Sequence, residues 1–197
     1  KAGHAAMFAV FDALATIALQ AQRGGEIIRQ LRQFVNREEP VRTWVDINDL
    51  IQQTAVLIRP EAERLGIQFV TRLAPTLPRV WVQDVQIQQV ILNLTSNGLE
   101  AMADSANPDH VLTLITRPGT AGEVEVLVSD TGPGISEGLR TEVFRQFVTT
   151  KPQGMGLGLA ISKGIVEAHG GVLDLAVTGL GGSLFRFTLP APGPMNG

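Results

Sequence analysis

An α+β fold, with helices laid on one face of a sheet, is predicted by three observations. Long segments carry apolar residues at spacings of 3, 4 and 7, the mark of amphipathic helices. Short stretches alternate or run apolar, as strands do. The two kinds mix without the regular strand-helix alternation of a parallel α/β protein. The chain has 197 residues, 44% hydrophobic and 18% charged, enough for one full core with an appendage, and it does not have the composition of a disordered tail.

The first element is a long helix. Residues 5–21 (AAMFAVFDALATIALQA) are apolar enough to raise a membrane span or a signal peptide, but Asp12 interrupts the run. The same apolar seam continues through Ile27, Ile28, Leu31, Phe34 and Val35, so one amphipathic helix is the better reading, weakest at Gly24-Gly25. Its wide apolar face cannot bury itself alone and predicts a bundle across a dimer. The polar stretch NREEP, residues 36–40, closes this segment and sets a boundary between a helical segment, 1–40, and the body, 41–197.

In the body, Thr43 to Val45 reads as a short strand. Ile47, Leu50, Ile51, Ala55, Leu57 and Ile58 mark a helix bent at Pro60 and ending near Leu65-Gly66. Strands follow at 67–73 and 80–82. Asp84 is the expected N-cap of a helix reaching Ala103, because Val85, Gln88, Ile91, Leu92, Thr95 and Leu99 keep helical spacing. Strands at 111–116 and 124–128, a glycine-rich stretch, a helix from Leu157 to His169 and strands at 172–177 and 184–189 complete the order.

Charge and composition exclude several functions. Sixteen basic against nineteen acidic residues give a net charge of -3, which supplies no bulk attraction for nucleic acid or an anionic membrane. The absence of cysteine removes disulfides, thiolate chemistry and Cys-based zinc sites, and agrees with a reducing, cytoplasmic setting. His4, His110 and His169 have no short metal-ligand spacing.

Three clusters carry candidate chemistry. Asn93 and Asn97, four apart, share one face of the helix from Asp84, and Asn93 stands in the apolar run QVILNLTSN. A buried amide there needs partners, and a hard cation such as Mg²⁺ suits its carbonyl. The turn SDTGPGI, residues 129–135, follows a strand. Asp130 at a strand end can accept from an exocyclic amine, and Gly132 and Gly134 permit a sharp turn and close approach to a flat ring. In KPQGMGLGLAISKGIVEAHGG, Gly154, Gly156 and Gly158 precede a helix whose first N–H groups can face a phosphate. No Gly-Lys-Ser/Thr follows, so this is not a Walker loop, and it lacks the parallel βαβ setting of a dinucleotide fingerprint.

In chain order these clusters resemble a family. QIQQVILNLTSNGLEAM is similar to the N box of sensor histidine kinases, SDTGPGISE to their G1 box, VFRQFVTTK to their F box, GMGLGLAISKGIVEAHGG to their G2 box and GGSLFRFTLP to the closing strand. The resemblance spans about residues 43–190 and extends to the larger group of gyrase, MutL and the ninety-kilodalton heat-shock chaperones. RGGEIIRQLRQFVNRE resembles the second dimerisation helix of FixL-like kinases.

The resemblance implies a two-layer Bergerat-type ATP-binding sandwich behind a helical dimerisation segment. It also implies ATP and Mg²⁺ as ligands, a homodimer through the helices, and a response regulator receiver domain as partner, with any membrane attachment upstream. Carried over residue by residue, it puts Asn93 and Asn97 at Mg²⁺ and phosphate, and Asp130 at the adenine amine with Gly132 and Gly134 around the base. Gly154, Gly156 and Gly158 then line the phosphates beside Lys151, and Phe144 and Phe147 are packing residues. The connection from Lys151 to Gly154 is short, which implies an open phosphate mouth.

In the ATPases of the group the position of Asn93 is typically a glutamate that activates water. An amide cannot serve as that base, so phosphoryl transfer to a histidine is favoured over gyrase-like hydrolysis. Glu100 reads as a helix-surface residue. The acceptor is the departure from the pattern: His4 is followed by Ala5 and Ala6 rather than by an acid, and His169 suits a helix cap. A segment bearing the acceptor outside this chain, or a nucleotide-binding module that performs no transfer, are the two consequences to separate.

Overall fold

The structure is a computed structural model and describes residues 41–103, 105, 109–149, 155–179 and 181–191. The chain divides into two units at Val41–Arg42, and the elements below belong to the second. The helix expected over residues 5–35, with His4, lies outside the described residues, as do Lys151 and Gly154.

The elements in order are β1 (Thr43–Val45), α1 (Ile47–Arg64), β2 (Gln68–Arg72), β3 (Val80–Val82), α2 (Asp84–Ala103), β4 (Val111–Pro118), β5 (Glu123–Ser129), α3 (Gly158–Ala168), β6 (Leu173–Gly179) and β7 (Gly182–Pro190). Local chemistry sets their ends. Asp46 caps α1 by accepting the Asn48 N–H at 2.9 Å. At the other end Gly66, at φ +70, lets its own N–H reach Glu63 O and the Ile67 N–H reach Ala62 O, the paired bonds of a Schellman stop. The same device ends α3, where Gly170 at φ +79 bonds Glu167 O and Gly171 bonds Val166 O.

α1 carries Pro60 inside it and runs to Arg64. One expectation shifts. Asp84 is not the N-cap of α2 but its first residue, where its Oδ1 accepts the neighbouring Val85 N–H at 2.7 Å. The N–H of Gln83 just before it is taken by His169 Nε2 at 3.1 Å.

The main sheet has five strands in the order β2-β4-β5-β7-β6. β2 and β4 are parallel, because the chain passes through β3 and α2 between them, and the other pairs are antiparallel. A β-bulge between Leu175 and Val177 interrupts β6. The short strands β1 and β3 do not join this sheet. They pair with each other as an antiparallel ribbon that sets Trp44 opposite Trp81, ring centroids 5.1 Å apart.

The core fills the space between helices and sheet. α2 turns Ile87, Val90, Ile91, Leu94, Leu99 and Met102 inward at helical spacing. Against them stand alternate strand residues: Leu112 and Leu114 of β4, Val124, Val126 and Val128 of β5, and Phe185, Phe187 and Leu189 of β7. The opposite face of the sheet carries an ion-pair ladder, Arg117–Glu125–Arg186–Asp174, crossing β4, β5, β7 and β6. The two arginines bury Glu125 between them. No helix among the described residues is long and apolar enough to cross a membrane.

Candidate functional site

The site is organised along α2. Asn93 is half-buried, and its Nδ2 donates to Ser162 Oγ on α3 at 2.9 Å. Its Oδ1 lies against Gly158, the first residue of α3, where a Cβ would collide with it. The glycine at 158 thus leaves room for the end of the Asn93 side chain where it lies. Asn97, one turn further along α2, is half-buried. Glu100 is exposed, as its position implied.

Five residues past Asn93, Gly98 brings α2 against Asp130, where a Cβ would meet Asp130 Cβ at 3.2 Å and Leu112 Cδ1 at 3.0 Å. Five helical residues rise about 7.5 Å, so α2 joins two ends of one extended site. Asp130, 7% exposed, directly follows the last residue of β5. Its Oδ1 accepts two backbone N–H groups, Gly132 at 2.9 Å and Ser183 at 3.2 Å. Its Oδ2 accepts no hydrogen bond among the described residues. Burial pushes the carboxyl above the ordinary aspartate value, and the N–H groups of Gly132 and Ser183 draw it part of the way back.

The glycines of the two loops have different functions. Gly132 supplies the N–H that holds Asp130. Gly134, at φ +76, makes the turn against Gly179, whose backbone a Cβ would strike. Gly156, at φ +64, packs on the Phe147–Val148 backbone, and its carbonyl accepts the Phe147 N–H at 2.9 Å. That bond ties the stretch before the glycine-rich loop to the entry of α3. Thr131 anchors the other loop by accepting the Val111 N–H at 2.9 Å. A cavity of about 430 Å³ borders this loop between Ile135, Arg140 and Gly179, and neither Asn93 nor Asp130 lines it.

The two phenylalanines differ. Phe144 packs as expected, edge-on to Phe185 with centroids 6.2 Å apart, and Lys163 Nζ stands 5.4 Å from its ring centroid. Phe147 is not a packing residue: it is 73% exposed at φ 65. The turn that gives its N–H to Gly156 holds the backbone in the left-handed region and leaves the ring outside the core. His169 has the cap role expected of it, with Nδ1–H donating to Ile165 O at 2.8 Å while Nε2 accepts from Gln83. Burial lowers its pKa, the Ile165 carbonyl opposes the shift, and the Arg42 charge adds to it.

Sequence reading missed Gly98, Ser162 and Ser183. The partners of the two serines lie 69 and 53 residues away, so no local pattern joins them. Ser162 did leave a signal, as a polar residue inside the apolar helix GLAISKGIVEA, the same anomaly that singled out Asn93.

Residues 82–193, more than half of the chain, match the family model described as histidine kinase-, DNA gyrase B- and HSP90-like ATPase. Sensor protein FixL of Bradyrhizobium diazoefficiens is 43% identical over 182 residues, 92% of this chain and 36% of that protein. Full-length ShkA, solved in complex with AMPPNP, superposes with a TM-score of 0.69 at 30% identity, over 80% of this chain and 33% of that one. ThkA, solved in complex with the response regulator protein TrrA, gives 0.72 at 25% identity, over 89% and 49%. The chain spans about a third of the length of the curated relatives it matches. On this match and these identities the chain belongs to the histidine kinase-, DNA gyrase B- and HSP90-like ATPase family, as a histidine kinase ATPase domain homologous to sensor histidine kinases.

Proposed function

We propose that this chain is the ATP-binding catalytic portion of a two-component protein-histidine kinase, which moves the γ-phosphoryl group of ATP to a histidine nitrogen for relay to a response regulator. The observation that carries the reading is Asn93. The residue facing the start of α3 is an amide, held there by Ser162, where a hydrolase needs a carboxylate to activate water. Transfer to histidine needs position and electrostatics instead.

In this reading Asp130 Oδ2 accepts the exocyclic amine of adenine while Gly132 and Gly134 shape the base site. Gly154, Gly156 and Gly158 run beside the phosphates, with Lys151 as a neighbouring cation. Asn93 and Asn97 supply amide oxygens to Mg²⁺, which when bound neutralises phosphate charge. The donor set fits that ion, since amide oxygens are hard ligands. Mg²⁺ characteristically binds through few protein oxygens, its remaining positions filled by phosphates and water. Residues 1–40 form the dimerisation segment, a role supported by their apolar seam. The ThkA–TrrA complex supports a receiver domain as partner, and a cytoplasmic position gives access to ATP.

The test is transfer from γ-labelled ATP to a histidine-bearing dimerisation domain of a related kinase, supplied separately. Acid-labile label should reach that domain only with Mg²⁺, and not from Asn93→Ala. Steady phosphate release without an acceptor would refute the reading in favour of a hydrolase, and tight binding without transfer would refute it in favour of a regulatory module.

A further inference from the structure

The Asn93 amide has two ends of similar shape and opposite chemistry, a carbonyl that can ligate a hard cation and an NH₂ that cannot. Rotation by half a turn about its last torsion exchanges them. A useful ligand therefore needs something to choose between the two orientations. The two residues of α3 that touch this amide are Gly158 and Ser162, and they stand four apart, so they share one face of that helix, one turn above the other. Asn93 lies across both. Its Nδ2 meets the Ser162 hydroxyl at 2.9 Å, and its Oδ1 occupies the space that a side chain at 158 would fill. Ser162 is 1% exposed, so its hydroxyl is shielded from bulk water in the fold.

From this juxtaposition we infer that Ser162 is a positioning residue for the metal ligand: its hydroxyl anchors the Asn93 amide by taking the NH₂, and the carbonyl oxygen is thereby presented at the N-terminal end of α3, where the unpaired N–H groups of the first turn favour an oxygen over an NH₂. Gly158 completes the device by leaving room for that oxygen. The positive end of the helix dipole lies at the same end and favours oxygen and phosphate there, and a cation would be drawn by those oxygens against the dipole. The inference rests on the reading of Asn93 as a Mg²⁺ ligand and adds what makes it one. Outer partners of this kind typically contribute about 10- to 100-fold to metal affinity.

The experiment uses the 197-residue chain in excess over AMPPNP, with Mn²⁺ as the hard-cation probe and free Mn²⁺ read by its electron paramagnetic resonance signal. AMPPNP affinity without metal is measured in parallel. Ser162→Ala should weaken Mn²⁺ binding about tenfold or more and leave metal-free AMPPNP affinity within about twofold, while Ser162→Thr, which keeps the hydroxyl, should restore most of the Mn²⁺ affinity. Thermal unfolding of each variant checks that it is folded. Equal Mn²⁺ affinity in wild type and Ser162→Ala, with loss in Asn93→Ala, overturns the positioning role and leaves the metal reading standing. Unchanged Mn²⁺ affinity in Asn93→Ala overturns both. Parallel loss of metal-free AMPPNP and Mn²⁺ binding in Ser162→Ala, or equal loss in the alanine and threonine variants, assigns Ser162 to packing alone and overturns the inference.

Discussion

Replacing Asp130 with asparagine should move ligand affinity and stability in opposite directions. Both backbone N–H groups at this residue, from Gly132 and Ser183, go to Oδ1. Asparagine keeps an oxygen in that position, so the loop retains its anchor. What changes is the other end, where Oδ2 becomes an NH₂ that faces the adenine amine, donor against donor. Losing a hydrogen bond to a charged group costs about 1.5–3 kcal/mol, about 10- to 150-fold in Kd for ATP. Stability behaves differently because burial raises the carboxyl pKa above its unfolded value. The protonated form is favoured by the fold. Its contribution is fully present below the unfolded pKa and is lost as pH rises through the folded one, so at neutral pH the native chain holds a desolvated charge. The Asp130→Asn substitution removes that charge, and the ligand-free variant should be at least as stable as wild type at about pH 7. Calorimetric titration with ATP and denaturant unfolding of the free chain read the two quantities. Inosine triphosphate, which carries an oxygen in place of the amine, should lose much less affinity than ATP. An ATP affinity within about twofold of wild type, or a free chain clearly less stable at neutral pH, would refute the reasoning.

Two further outcomes follow from packing and titration. Phe144→Ala should destabilise the chain by about 2 kcal/mol, below the ~3–5 kcal/mol of a fully buried phenylalanine because its ring is only half-buried, whereas Phe147→Ser should change stability by less than about 0.5 kcal/mol; denaturant midpoints separate the two. His169 is buried with a lowered pKa, so the fold binds its proton less readily than the unfolded chain does. Its contribution is present above about pH 6.5 and lost as pH falls through the folded value. The unfolding midpoint should therefore fall more steeply from about pH 7.5 to 5 in wild type than in His169→Gln.

Local signals made most of the elements legible. Helical spacing marked α2 and α3 to within a residue or two, and the glycines after each of α1 and α3 announced the left-handed residue at which the helix stops. The order of the boxes carried the family. Side-chain exposure was less legible: Phe144 and Phe147, three apart in one motif, look alike in sequence, and the φ of 65 that turns Phe147 outward depends on a bond to Gly156 across the loop. Asp84 was misplaced by one residue because the first helical hydrogen bond runs from the Ile87 N–H to Gln83 O at 3.2 Å, which starts the helix one residue earlier than the sequence pattern marks.

By itself the sequence determined what is written between neighbours: which segments are helix or strand, where the glycines stop them, and that two asparagines share a helix face. It also determined the lineage, because box order is a property of the chain. The tertiary structure alone decided that β1 pairs with β3 outside the main sheet, that β2 runs parallel to β4, and that the glycine at 158 leaves room for an amide. It alone decided that Asp130 is held by an N–H from Ser183 and Asn93 by a hydroxyl from Ser162. The physical reason is range: propensity and periodicity act over one or two turns, whereas these contacts join residues separated by tens of positions. They form only once the shared apolar core has brought α2, α3 and the ends of β5 and β7 together.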